Sequence, residues 1–305
     1  MKPVFPRRTL AHSLLVTIVV MALAAPAWAA RIGVVSNRYA SETAANLATN
    51  IPDHTFTAVE TAVAIPSLGS LTGSFDVLLL FEDLTYANAT GVGNAVAAFA
   101  NTGRPVVIGA FYEQDRTDGP AVNLPHGWGA LEQLDPNTSD GQGTPYAPRN
   151  LDTTTLIRHP LTTGLKSLFS AKFAGGNQPK AGTTVVAWWQ EPNARGERDP
   201  AIAVRVTGAA CITHVALAPN YPSIGTLGTD FAGDFHRVWK NAFDFAAGGC
   251  KAWVNEAAGP DAVETIPTLS QWGLALTILL VGFIGLLQRR GDPRRASRRQ
   301  HPPSP

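Results

Sequence analysis

The stretch that most restricts the fold is Phe75-Asp76-Val77-Leu78-Leu79-Leu80-Phe81, followed by a helical pattern and then by Pro105–Phe111. A near-continuous apolar run of strand length suits a strand buried on both faces, as in the middle of a parallel sheet. Between the two runs, Val92, Val96 and Phe99 recur at helical spacing over about 88–101, and Gly103 stands where a C-cap belongs. Strand, helix and strand in that order form a right-handed crossover unit.

The same alternation extends upstream. Arg31–Ser36 reads as a buried strand ending in a polar turn, Glu42–Thr49 as a helix and His54–Val63 as a second strand. Downstream, Tyr112 to about Leu156 carries many Gly, Pro, Asn, Asp and Thr residues with little periodicity, and reads as a long loop above the sheet. Strands return at 185–190, 201–206 and 211–218, the last two paired antiparallel across Gly208. A final helix is expected from about Thr229 to Ala247, with Phe231, Phe235, Val238, Trp239, Ala242, Phe243 and Ala246 on its core face. The fold class expected is α/β, with a mostly parallel sheet flanked by helices in a flavodoxin-like manner.

The two ends read as addresses. Arg7 and Arg8 precede an apolar stretch from Ser13 to Ala25, and Ala27-Trp28-Ala29 fits a small-x-small cleavage pattern. The mature chain is therefore expected to begin near Ala30 or Arg31. At the far end, 274–287 is almost wholly apolar and is expected to be a transmembrane helix, with Trp272 at its edge. Arg289, Arg290, Arg294, Arg295, Arg298 and Arg299 follow, and such charge stays cytoplasmic. The organisation expected is a signal peptide at 1–30, an α/β domain at 31–254, a linker at 255–265, a span with its sorting signal at 266–290 and a basic tail at 291–305. Formal net charge is +1, with much of the arginine in the terminal segments, so no basic face points to nucleic acid. Cys211 and Cys250 are the two cysteines; an oxidising compartment permits a disulfide between the last helix and the sheet, and two buried thiols are the alternative.

Ile266-Pro267-Thr268-Leu269, then Trp272-Gly273, ahead of an apolar run and arginines, resembles the IPTL-type sorting signal of bacterial proteins handled by an exosortase. Gln271 stands where the usual residue is acidic. The resemblance implies a membrane intermediate with its domain in the periplasm, an exosortase-type processing partner, and delivery to the cell surface or matrix.

The middle resembles the class I glutamine amidotransferase-like fold, in particular its ThuA-like relatives. Ser36-Asn37 after the first strand, Asn101–Ile108, His159-Pro160-Leu161-Thr162-Thr163-Gly164-Leu165 and Trp239–Ala246 carry that likeness. Active members place a nucleophilic cysteine at a sharp turn after a central strand. This chain has Phe111-Tyr112-Glu113 there, so amidotransferase activity is not expected.

Ligands of open parallel sheets bind beyond the carboxyl ends of the strands. Ser36, Asn37, Asp83, Tyr112 and Glu113 are the candidate binding residues, with Glu82 and Asn220 beside them. Glu82, Asp83 and Glu113 together could hold a hard cation or act as acid and base, or else cap helices. His126, Trp128, Trp188, Trp189 and Tyr221 offer a sugar platform, or simply core. His159 reads as a turn residue and His214 as a satisfied core histidine. No catalytic residue, metal or cofactor is assigned. The expected function is a surface-sorted binding or structural domain with a glycan or matrix as candidate partner; the alternative is a carbohydrate-active enzyme.

Overall fold

A computed structural model describes residues 29–84, 86–120, 126–142 and 148–251. The chain divides into two units, Met1–Trp253 and Val254–Pro305, and every described residue lies in the first. The expected signal peptide, except its last two residues, and the expected linker, span and tail lie outside the described residues. Among the described residues no helix is long and apolar enough to cross a membrane.

The first unit is a mixed α/β structure around a seven-stranded sheet of order β2-β1-β3-β4-β11-β10-β9. β1 is Arg31–Ser36, β2 Thr55–Glu60, β3 Val77–Leu80 and β4 Val106–Ile108, all parallel. β9 is Thr184–Trp188, β10 Pro200–Thr207 and β11 Ala210–Val215. β11 runs parallel to β4, whereas β10 is antiparallel to both its neighbours. The hairpin of β10 and β11 turns at Gly208, as expected, with Val204 opposite Thr213.

Alternation along the buried strands sends side chains to two separate cores. Val77 and Leu79 enter the first core, Leu78 and Leu80 the second. Helices α1 (Ala40–Asn50) and α5 (Phe235–Ala247) cover the first core. Helices α2 (Leu68–Ser74) and α3 (Ala89–Asn101) cover the second. In α3, Asn88 caps the first turn by accepting from the Gly91 amide at 2.7 Å, and Gly103 adopts φ +86° after the last turn. The short helix α2 escaped the sequence reading. It contains Gly69 and Gly73 and buries only Leu71, so it carries almost no apolar period.

Two further expectations are corrected. The last helix begins at Phe235 rather than near Thr229. Phe231–Gly233 is strand β12, paired with β7 (Leu168–Ser170), which pairs in turn with β6 (Arg149–Asn150). Phe231 is in the core, but from a strand whose partner lies some sixty residues upstream in sequence, far outside the window in which local periodicity is read. The segment after β4 is likewise not an excursion above the sheet. Within it, Tyr112, Trp128, Leu131 and Leu134 complete the second core. The approach is close enough that a Cβ on Gly93 of α3 would run into the Trp128 carbonyl. β5 (Asn137–Ser139) then pairs with β8 (Asn177–Pro179), and α4 (Tyr221–Ile224) follows β11.

One covalent link closes the unit. Cys211, at the start of β11, is joined to Cys250, just beyond α5, with Cα atoms 6.5 Å apart. The disulfide fixes the end of the last helix to the central sheet.

Candidate functional site

The chain leaves β1 toward β2 on one side and returns to β3 on the other, so β1 and β3 flank the switch point of the sheet. Loops at such a point diverge and leave a crevice at the carboxyl ends of the strands. Ser36 and Asn37 enter it from β1, and Glu82 and Asp83 from β3. The Asn37 side chain ties the two loops together: its Oδ1 accepts from the Asp83 amide at 3.1 Å and its Nδ2 donates to the Leu84 carbonyl. Ser36 Oγ donates to the Arg38 carbonyl at 2.8 Å. Asn220, beyond β11, donates from Nδ2 to Asp83 Oδ2 at 2.5 Å. Three of the five expected residues, Ser36, Asn37 and Asp83, are thus brought together, and Asn220 joins them.

Both loops hold a non-glycine residue in the left-handed region, Tyr39 at φ +61° and Leu84 at φ +73°. Such residues persist only where the surroundings fix them. The Arg38 guanidinium lies 4.3 Å from the Tyr39 ring centroid, and Leu84 is 61% exposed. Burial raises the Asp83 carboxyl above the usual carboxylate range, while the Asn220 amide and the Arg38 charge oppose the rise. Beneath it, the Tyr86 hydroxyl donates to the Phe81 carbonyl at 2.9 Å. Burial, and next the charge of Glu82, raise that hydroxyl well above its ordinary value.

Tyr112 and Glu113 do not join this crevice, which corrects the sequence-based grouping. They turn into the second core. The Tyr112 ring stacks on Trp128 at 4.9 Å, and its hydroxyl donates to Asp135 Oδ2 at 2.7 Å. Burial and then the Asp135 charge raise the Tyr112 pKa, so the hydroxyl keeps its proton. Arg116 and Lys180 also pair with Asp135. Glu113 is fully buried, with Oε1 2.9 Å from His214 Nε2. Asn137 Nδ2 lies 3.0 Å from His214 Nδ1. An amide nitrogen only donates, so Nδ1 accepts and the ring proton sits on Nε2, facing Glu113. His214 is buried in the core as the apolar strand around it suggested, but it is not fully satisfied. Its Nε2 lies within ion-pair distance of Glu113, yet among the described residues neither it nor either Glu113 carboxylate oxygen makes a hydrogen bond of good geometry.

The acid cluster Glu82–Asp83–Glu113 does not form either. Among the described residues no group of three or more His, Cys, Asp or Glu side chains is placed to hold a metal ion. The aromatic platform divides as well. Trp128 and Trp189 are buried, Trp188 is half-buried 4.6 Å from the Arg198 guanidinium, and Tyr221 packs on Phe235 at 5.0 Å. His159 caps a single turn at Pro160–Thr162 through Nδ1, as a turn residue should.

The position after β4 is filled rather than open. Phe111 packs on Phe173 with centroids 4.9 Å apart, in a small apolar cluster with Ala110, Ala218 and Ile224. Both cysteines of the chain are in the disulfide, so neither offers a thiolate. Phe173 as the partner was not legible in the sequence, because it lies sixty-two positions from Phe111, beyond any local pattern.

Residues 265–291 match the IPTL-CTERM motif. The motif supports the reading of the C-terminal segment as a sorting signal of an exported, surface-directed protein. No curated protein matches the chain. Among solved structures, a cytoplasmic protein from Salmonella typhimurium is similar at 10% identity, with TM-score 0.49, over 70% of this chain and 98% of that one. The carbohydrate deacetylase Agd3 is similar at 15% identity, with TM-score 0.39, over 63% of this chain and 30% of that one. A cold-adapted β-galactosidase from Rahnella sp. R3 is similar at 12% identity, with TM-score 0.41, over 70% of this chain and 30% of that one. At such identities and scores no activity transfers from these proteins, and the amidotransferase-like likeness gains no support from them.

Proposed function

We propose that the chain is an exported bacterial protein whose α/β domain, residues 31–254, is displayed at the cell surface or matrix as a non-catalytic binding or structural module. The observation that carries this reading is the IPTL-CTERM match at 265–291. A signal peptide within residues 1–30 would export the domain and the segment at 266–290 would hold it in the inner membrane, domain in the periplasm, until an exosortase-type enzyme processes it. The Cys211–Cys250 disulfide suits an oxidising compartment.

Two features favour binding over catalysis. The place of an amidotransferase nucleophile is occupied by Phe111. Carbohydrate chemistry by paired carboxylates needs both groups against one substrate, and Glu113 is buried against His214 while Asp83 stands in the crevice. The candidate ligand face is the strand-end turn at Asn37 and Asp83, with Ser36 and Asn220 buried behind it, and its carboxylate suits the hydroxyl groups of a glycan.

The test is the intact mass of the protein recovered from the surface of an exosortase-bearing host, beside a host lacking that enzyme. Loss of the segment after Ile266 in the first host alone is the expected result. Retention of the full C-terminus in both would make the segment a plain anchor and defeat the sorting reading.

A further inference from the structure

The structure assigns the amino terminus of the mature domain to Ala30, and we infer that the amino group freed there is seated on His54. The inference rests on the export reading above.

The sequence allows two cleavage points, and the fold distinguishes them. Ala29 is exposed, whereas Ala30 is only 5% exposed. The Ala30 carbonyl accepts from the Thr55 amide at 3.0 Å, extending the pairing of β1 with β2 by one residue. The Ala30 amide donates to His54 Nδ1 at 3.2 Å. A cut after Ala30 would remove all of this, and it would place Trp28 where a small residue is required, three positions before the bond. A cut after Ala29 places Ala27 there and leaves the fold whole.

The seat is a relay. Because His54 Nδ1 accepts, its proton sits on Nε2, which lies 3.0 Å from Asp244 Oδ1. Asp244 Oδ2 accepts from Lys240 Nζ at 2.9 Å, and Lys240 also reaches Asp53 at 2.7 Å. The His54 ring is buried, edge-on to Phe56 and Phe243. Hydrolysis of the Ala29–Ala30 amide by the export machinery's leader peptidase consumes one water. The leader departs with a carboxylate on Ala29, and Ala30 gains an amine. One N–H of that amine keeps the bond to His54. The others face a cleft of about 610 Å³ lined by Ala30, Arg31, Asp76, Arg104 and Gly249. The new positive charge is thereby linked through His54 to the Asp244 carboxylate on the last helix.

The experiment exports the full chain with its own leader from a bacterial host, then reads the first residues by Edman sequencing together with the intact mass. Ala-Arg-Ile-Gly is the expected start. A start at Arg31 or later overturns the inference while leaving export intact. Retention of the leader overturns the export reading, and this inference with it. The seat is read separately, by acylating the α-amine with an amine-reactive ester at neutral pH. Native protein should react at Ala30 roughly ten-fold more slowly than the same protein in denaturant, as expected of a locally protected group. Equal rates would show that the amine is not seated. A domain begun at Arg31 should show about a ten-fold lower folding equilibrium constant than one begun at Ala30, from the lost buried hydrogen bonds. No difference would overturn the structural role of Ala30.

Discussion

Asp83 is held in the crevice by two hydrogen bonds, one accepted by its carboxylate from the Asn220 amide and one donated by its backbone N–H to Asn37 Oδ1, and those contacts set what its replacement does. Asp83→Ala should strand the buried Asn220 donor and cost about 1–3 kcal/mol in chemical denaturation. Asp83→Asn keeps an acceptor and removes a charge that burial disfavours, so it should cost less than about 1 kcal/mol. At the opposite end of the strands, Asp244 gives a pH dependence of definite sign. Burial opposes its charge, but His54 and Lys240 together hold its pKa below the usual value. A depressed carboxylate contributes stability above the unfolded pKa and loses it as pH falls through the folded one. Thermal melts from neutral pH downward should show that loss begin below about pH 4, and Asp244→Asn should flatten it. The turn role of His159 and the burial of His214 were legible beforehand because their neighbours in sequence already defined their setting.

Elements were legible where periodicity was strong and faint where it was not. β1, β3, α1 and α3 follow from apolar runs and from residues at helical spacing. α2 and the small strands do not, because each buries one or two side chains and depends on a distant partner. Gly93 marks where an element meets a loop that sequence reading placed elsewhere. Gly93→Ala should force α3 away from the Trp128 carbonyl and destabilise the domain by about 1–3 kcal/mol, read by urea denaturation. The buried pair of Arg149 and Asp199, 2.9 Å apart, anchors β6 to the segment before β10. Burial pushes the Asp199 carboxyl up to about 7, against the pull of Arg149 and of two backbone amides. Arg149→Met would leave that carboxyl without its cation, and a loss of about 3–5 kcal/mol is expected at neutral pH.

For the described domain as a whole, its two ends lie at one edge of the sheet. β1 starts and α5 finishes at the amino-terminal edge of the sheet, where Cys250 is tied to Cys211, and the Asp83 crevice lies at the carboxyl edge. The last described residue, Lys251, thus stands at the edge of the sheet away from Asp83. The disulfide closes a loop of sequence separation 39, and removing it with Cys211→Ser and Cys250→Ser should cost about 3–4 kcal/mol. Limited proteolysis should then cut first near the end of α5, and an unchanged cleavage pattern would show that packing alone secures the helix. The sequence by itself determined the α/β class and the terminal sorting motif, because buried runs, helical spacing and short motifs are local patterns, whereas it left the two cysteines as a bridge or as buried thiols. Only the tertiary structure decided that Glu113 leaves Asp83 for His214, that Phe111 meets Phe173, and that Phe231 belongs to a strand. Those outcomes depend on which distant segments close on each other, a choice made by packing and hydrogen-bond satisfaction across the whole chain.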